Sequence, residues 1–386
     1  EKKMSDNFSK NKISFEGERK TAAIIDLNAI RKNITGIKNK VGENVLICPA
    51  VKANAYGHGA VEISKMFEKE KLANYLGVAT VEEGVELRNA GIKLPILLFG
   101  VTFKDQLNLS IKNDLTLAVV NMQTLMETVE IAKKMNKRAT IHLKVDTGMG
   151  RIGCKPSEAL NIVKNAYNYK DFVYLEGLFT HFPKSDEKDK TFSYKQIEIF
   201  KSLKQQIEKE NIHIPIYHMA NSGAILDLKE SYFDMVRPGV MAYGYYPSDE
   251  TTESIKLYPS MQVRTEIAFI KKVESGTPIS YGGIYVAQTD RYIASLPIGY
   301  ADGINRLLSN KHNVLINGKQ YKIAGRICMD QIMVDLCDDF YDVGTQVIIF
   351  GYDTITASDV AREVGTIPYE VTCWISKRVK RYYINN

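Results

Sequence analysis

The segment Pro49-Ala50-Val51-Lys52-Ala53-Asn54-Ala55-Tyr56-Gly57-His58-Gly59 ends an apolar run on a lone lysine and follows it with a glycine-rich polar loop. A lysine amine desolvated at a strand end loses basicity and gains nucleophilicity, which is what the Schiff-base lysine of an aldehyde cofactor needs. Tyr56, Gly57 and Gly59 would set a hydroxyl and pliable backbone beside the amine, suited to a phosphate or a small ligand. The alternative is a lysine whose head merely reaches water past an apolar strand end. Position alone leaves both readings open.

A second group is Lys144-Val145-Asp146-Thr147-Gly148-Met149-Gly150-Arg151-Ile152-Gly153. Gly148, Gly150 and Gly153 have the spacing of a dinucleotide-binding turn, which favours a nicotinamide dehydrogenase. Against that, the run before it is the fifth of a series rather than the first, and no ribose-binding acid follows at the usual distance. Asp146 and Arg151 instead suggest a charged clamp for a carboxylate, since the arginine fork matches that shape. A purely structural Asp146–Arg151 ion pair is equally compatible.

Further polar clusters fall at predicted strand ends: Thr180-His181-Phe182, His218-Met219-Ala220-Asn221-Ser222-Gly223 and Arg237-Pro238-Gly239-Val240. Ser222 and Gly223 open a helix-like stretch, where backbone N–H groups favour phosphate. His181 and His218 are supporting candidates, because a lone histidine there often serves only the core. Later clusters are Ser280-Tyr281-Gly282-Gly283, Pro297-Ile298-Gly299-Tyr300-Ala301-Asp302-Gly303, Arg326-Ile327-Cys328-Met329-Asp330-Gln331 and Ile367-Pro368-Tyr369-Glu370. With 22 tyrosines in the chain, a plain turn residue is the default for any one of them.

These groups need a frame. From about residue 45, short apolar β-rich runs alternate with longer amphipathic stretches, as in 45–51, 75–79, 95–100, 115–119, 139–146, 172–179, 214–218 and 233–236. Helical periodicity marks 81–90, 122–135, 156–167 and 192–210. Eight such alternations predict an α/β fold, a (β/α)8 TIM-like barrel, with near-continuous apolar runs as expected of strands covered on both faces. After about residue 258, strand-like pieces at 262–273, 291–297, 313–316, 321–327, 332–335 and 346–351 are separated by glycine turns, Asn317-Gly318 being a strong hairpin signal. This predicts a mostly-β C-terminal domain in which only 357–364 and the last residues are helical. The expected division is a basic polar N-terminal extension over 1–20, a barrel over 21–257 whose first strand is free to pack on the β domain, and the β domain over 258–386.

Charge narrows the functional classes. Lys and Arg number 51 and Asp and Glu 45 in 386 residues, a net of +6. Residues 1–20 carry a net of +2 and the last ten a net of +4, so the remainder is neutral. The ends read as solvated tails or terminal-helix charge, and no nucleic-acid-reading module is present. Five widely spaced cysteines and six histidines show no C-x-x-C and no H-E-x-x-H, so neither a disulfide framework nor a metal site is expected. No apolar run is long enough for a membrane span. The expected location is the cytoplasm, or outside the cell if a signal segment preceded Glu1. A start at Met4 is equally compatible.

Taken in order, A-V-K-A-N-A-Y-G-H-G, L-K-V-D-T-G-M-G-R-I-G, F-T-H-F, A-N-S-G-A, R-P-G-V-M-A-Y-G, S-Y-G-G, P-I-G-Y-A-D-G, R-I-C-M-D-Q and I-P-Y-E resemble the alanine racemase family from about Ala22 to Tyr382. The resemblance implies a pyridoxal 5'-phosphate enzyme that interconverts L- and D-alanine by two bases and supplies D-alanine for peptidoglycan. It implies that Lys52 holds the cofactor and is one acid/base. Tyr281, from the second subunit of a homodimer, is the other. Tyr56, Asn221, Ser222, Gly239, Val240 and Tyr369 match cofactor-binding positions, mostly around the phosphate, and Arg237 would face the pyridine nitrogen. His181 would orient Tyr281, and His218 would orient Arg237. Arg151 and Met329 would bind substrate, Tyr300 would line the entrance and Asp330 would support it. Lys144 matches a lysine that is carbamylated in many members and positions Arg151.

Met219 stands where the family commonly has a small residue, and Lys377 where an aromatic is common. The same scaffold serves serine and broad-specificity racemases, so substrate range stays open. More distant alternatives are a barrel-type pyridoxal-phosphate decarboxylase and a non-catalytic pyridoxal-phosphate-binding protein. The latter would lack the β domain and Tyr281.

Overall fold

In the computed structural model, which describes residues 17–385, eight parallel strands curl into a closed barrel. They are Leu46–Ile47, Leu76–Val78, Ile96–Val101, Leu115–Val119, Ala139–Lys144, Val173–Phe179, Ile216–His218 and Met235–Val236. The first pairs with the last, Leu46 opposite Met235. A parallel bridge from Ala50 to Gly77 joins the first to the second and closes the ring. Residues of opposite parity along the strands face different cores. Ile96 and Leu98 pack among the surrounding helices, whereas Leu97 joins Cys48, Tyr75, Ile216 and Met235 in a small separate cluster. This is the period-two alternation of a barrel wall, with the smaller cluster filling the lumen.

The helices between strands begin where side chains satisfy their first N–H groups. Met122–Met135 starts on Asn121, whose Oδ1 accepts from Thr124 N at 2.8 Å, and ends on Asn136 in the left-handed region at φ 48°. Val81–Asn89 starts on Thr80 with Glu83 reaching back, a reciprocal cap. Among the described residues, no helix is long and apolar enough to cross a membrane.

The second half forms a six-stranded sheet, in the order Lys319–Lys322, Asn313–Ile316, Gln346–Phe350, Met261–Glu266, Ala22–Asp26 and Lys380–Ile384. The earliest strand among the described residues therefore lies here, antiparallel to Met261–Glu266 and parallel to Lys380–Ile384. The hairpin turn at Asn317 and Gly318 has φ of 47° and 82°, as a two-residue turn of that type requires.

Two expectations are corrected. The run 262–273 is not one strand: it breaks at Ile267, and Phe269–Val273 pairs with Arg291–Leu296 in a different sheet. Hydrophobic pattern alone cannot register an exchange of partners. The last residues are not helical either; the helix is Pro368–Trp374, and β-prone Tyr382, Tyr383 and Ile384 continue as an edge strand.

The basic ends are not simply solvated tails. Arg381 is half-buried and donates to the carbonyls of Gly57, Ile375, Ser376 and Val379. Arg378 bonds Asp330 at 2.8 Å. Of the expected N-terminal extension, residues 1–16 lie outside the described residues. Its final part is tied down: Lys380 pairs with Glu18, and Arg19 grips Asp302 through Nη1 at 2.5 Å and Nη2 at 2.8 Å.

Candidate active site

The C-terminal ends of the barrel strands open into a cavity of about 720 Å³, the end at which barrel enzymes place their chemistry. Lys52 sits on its floor directly after the Ala50–Gly77 closure. The next four residues, Ala53 to Tyr56, all lie in the left-handed region, with φ from 50° to 54°. Such a turn costs about 1–2 kcal/mol per residue, so it must be held. Ala53 N donates to Glu83 Oε1 at 2.6 Å, Ala55 N to Val51 O at 2.8 Å, and Ala60 N to Asn54 Oδ1 at 2.9 Å. Beyond it, Gly57 packs so tightly on the helix Pro368–Trp374 that a Cβ would lie 2.1 Å from Thr372 O. The turn thereby sends the Tyr56 ring into the cavity beside Tyr369, ring centres 6.0 Å apart.

Four basic side chains converge here: Lys52, Lys144, Arg151 and Arg237 all line the cavity. Burial, then the charge of Arg151, lowers the Lys52 amine from the ordinary lysine range. Burial, followed by the charges of Arg237, Arg151 and Lys52, brings Lys144 down to about 7. Arg237 is lowered to about 10 by burial and so stays charged at neutral pH. A cavity with this surplus of positive charge suits an anion carrying more than one negative group. Phe179 forms an apolar plate among these groups. The Lys144 Nζ lies 5.2 Å and the Arg237 guanidinium 5.5 Å from its ring centre, and His218 stacks on it at 4.8 Å.

At one end of the cavity the backbone is pared back. Ser222 Oγ accepts from Gly239 N at 3.0 Å, and a Cβ on Gly239 would lie 2.8 Å from the Tyr56 hydroxyl and 3.7 Å from Ser222 Oγ. This cradle of hydroxyls, backbone and a required glycine fits a phosphate. Asn221 caps the helix Ser222–Asp227, its Oδ1 accepting from Ala224 N, so it shapes the cradle from behind. Val240 is buried beside Gly239.

Arg237 sets the protonation pattern around it. Its Nη1 donates to His218 Nδ1 at 2.7 Å, and Nη2 to Thr180 O, Met219 O and His181 Nδ1 at 2.7, 3.2 and 3.3 Å. A guanidinium has donors only, so both imidazoles must accept on Nδ1 and carry their proton on Nε2. Burial holds both rings well below the ordinary histidine range, so they are neutral. Met219 contributes only its carbonyl to this cluster.

Asp146 does not pair with Arg151. Its Oδ1 accepts from Gly148 N at 3.0 Å and Gly150 N at 3.1 Å, folding the loop 147–153 into a turn. The three glycines open onto Pro156–Asn168 only after a bridge from Val145 to Cys154, not directly onto a helix as a dinucleotide turn would. A Cβ on Gly153 would strike Asp146 N at 2.8 Å, which explains that glycine by packing.

Tyr281, Met329 and Asp330 do not meet Lys52 within one chain. They share a second cleft on the β domain, with Tyr281 70% and Met329 51% exposed. Tyr300, 43% exposed, lies beside it, its N–H donating to Cys328 O at 3.0 Å. Phe179, Phe99 and Cys373 also line the first cavity; sequence reasoning missed them, since an apolar residue or a lone cysteine at a strand or helix end carries no signal of its own. His142 and Glu176, behind His218, were missed likewise.

Fold and site together define a class, a two-domain barrel enzyme centred on a half-buried lysine. The chain belongs to the alanine racemase family. Residues 25–247 match that family's N-terminal domain and 260–383 its C-terminal domain. A curated relative, alanine racemase 2 of Caldanaerobacter subterraneus subsp. tengcongensis, is 44% identical over 374 residues, 96% of each chain. Alanine racemase from Clostridium difficile 630 superposes with a TM-score of 0.92 at 43% identity, covering 97% of each chain. Alanine racemase from Bacillus anthracis with bound L-Ala-P does so with a TM-score of 0.89 at 36% identity, covering 95% of this chain and 96% of that one.

Proposed function

We infer that this chain interconverts L- and D-alanine on pyridoxal 5'-phosphate, as a homodimer in the cytoplasm, and so supplies D-alanine for peptidoglycan. The observation that carries the reading is the half-buried Lys52 amine, facing one cavity with three further basic side chains and the Tyr56–Ser222–Gly239 cradle. Tyr56, Ser222, Gly239 and the neighbouring Val240 would hold the phosphate, with Tyr369 walling the pocket and Asn221 shaping the helix start. When bound, the cofactor supplies an electron-withdrawing ring that acidifies the α-hydrogen of an attached amino acid.

The chain's own groups do the rest. Lys52 Nζ, made less basic by burial and by Arg151, takes and returns the α-proton on one face. The phenolic oxygen of the partner subunit's Tyr281 would act on the other, aligned by the Nε2–H of His181. Arg237 presents a guanidinium, a donor that does not hand over its proton, to the ring nitrogen. Arg151 binds the substrate carboxylate, steadied by a carbamate on Lys144. Met329 adds a contact from the partner, with Asp330 behind it bonded to Arg378. Tyr300 narrows the entrance. The exposure of Tyr281 and Met329 on the separate chain supports their use by a second copy.

The test is direct. Purified protein incubated with pyridoxal phosphate turns yellow, borohydride fixes the label on the Lys52 peptide, and Lys52→Ala stays colourless. A panel of L-Ala, L-Ser, L-Lys and L-Arg then gives the highest kcat/KM for alanine. A protein that binds no pyridoxal phosphate overturns the reading, and preference for serine or a basic amino acid replaces alanine as substrate.

A further inference from the structure

Behind Arg237 the barrel interior carries a line of polar side chains that the reaction above does not use. His218 Nε2 lies 2.9 Å from His142 Nδ1, and His142 Nε2 lies 3.1 Å from Glu176 Oε2. Donor logic orients every link. Arg237 can only donate, so His218 accepts on Nδ1 and donates from Nε2. His142 must then accept on Nδ1 and donate from Nε2, which ends on the Glu176 carboxylate. The Tyr75 hydroxyl hydrogen-bonds the same carboxylate. Reversing any link would set two N–H groups head to head.

Two backbone devices make room for this line. The pairing between Ala139–Lys144 and Val173–Phe179 slips between Ile141↔Leu175 and His142↔Gly177, so Glu176 is the extra residue of a β-bulge. Bulges re-aim side chains and gather next to active sites. Gly177 lies against the His142 ring, where a Cβ would fall 2.4 Å from Nδ1. Both histidines are fully buried and held neutral, chiefly by desolvation.

We propose that Glu176 and His142 are positioning residues for Arg237: the carboxylate fixes one tautomer through two imidazoles, and so holds the guanidinium in a single donor orientation toward the cofactor's ring nitrogen. The first half rests on this chain alone; the second rests on the function proposed above. Replacing the acceptor at 176 frees His142 to turn its proton toward His218, and the mismatch then arrives at Arg237.

The test uses holoenzyme labelled with 15N-histidine, with ring signals assigned from His142→Asn and His218→Asn. In the wild type, both rings are expected as neutral Nε2–H tautomers that do not titrate across the folded pH range. Glu176→Gln, whose amide oxygen still accepts, keeps this pattern and the wild-type rates. Glu176→Leu shifts the His218 or His142 signals, lowers kcat by about 3- to 30-fold with little change in KM, and raises the share of turnovers ending in transamination. A His218 that carries its proton on Nδ1, or that is charged, overturns the proposal. So does Glu176→Leu with unchanged ring signals and unchanged partition. The tautomer measurement stands even for a protein that racemises nothing. If Glu176→Leu does not fold, the wild-type and Glu176→Gln spectra still decide.

Discussion

The hydroxyl of Tyr56 and the α-carbon of Gly239 stand so close that a β-carbon on residue 239 would lie 2.8 Å from the tyrosine oxygen. One belongs to the left-handed turn after Lys52, the other to the loop after the last barrel strand. Only glycine lets both walls reach a phosphate together. Gly239→Ala is expected to weaken pyridoxal phosphate binding by about tenfold or more, since overpacking costs about 1–3 kcal/mol. Spectrophotometric titration of apoenzyme measures this, and equal affinity in the variant would remove the cradle from the argument.

Lys144 titrates near 7 because burial and three neighbouring cations disfavour its ammonium form. The neutral amine, the form that captures carbon dioxide, therefore dominates as pH rises above that point and is lost below it. Carbamate occupancy, read by 13C NMR in labelled bicarbonate, should climb between about pH 6 and 8. Lys144→Ala should raise KM for alanine more than it lowers kcat. A lysine that stays bare in bicarbonate at pH 8 refutes the assignment.

Tyr281 and Lys52 lie in different clefts of one chain. Tyr281→Phe is expected to stay yellow but lose most exchange of the α-hydrogen for one alanine enantiomer in deuterated water. Lys52→Ala and Tyr281→Phe subunits, each nearly inactive alone, should regain activity when mixed and allowed to exchange. Random pairing restores up to about a quarter of the wild-type sites. No recovery, with heterodimers demonstrated by mass, would mean that each site is built from one chain.

Arg19 grips the buried carboxylate of Asp302, whose Oδ2 also accepts from Gly299 N at 2.9 Å. That loop carries Tyr300, and Ala301 N donates to Met329 O at 3.0 Å. Among the described residues, Arg19→Ala leaves a buried carboxylate with Arg378 as its remaining ion-pair partner, at 3.4 Å. The variant should lose about 2 kcal/mol of stability in urea unfolding, with a raised KM for alanine as Tyr300 loosens. An unchanged midpoint would show that Arg378 replaces the lost partner.

The barrel was legible because parallel strands covered on both faces leave near-continuous apolar runs, and Lys52 was legible because a charged residue ends one of them. Helix 122–135 was legible because its apolar residues recur at a helical period, and the structure adds Asn121 and Asn136 as its two caps. Where partners change, pattern reading failed, as at Ile267. The polar line through His142 and Glu176 was hidden for a related reason. Its links cross between strands, and Glu176 points where it does only because of a bulge. The basic C-terminal residues looked like tail charge because composition cannot show that Arg381 faces carbonyls.

The bond from Arg381 to the carbonyl of Gly57 spans 324 residues of sequence, and the strand Ala22–Asp26 takes Lys380–Ile384 as its parallel neighbour. The loop that seats the central lysine is thus secured by residues that emerge from the ribosome more than 300 positions after it. A growing chain can complete the barrel strands well before it can finish this site. Pyridoxal phosphate should therefore load only once residues 380–384 have been made, and a chain truncated before Lys380 should be folded in large part yet colourless.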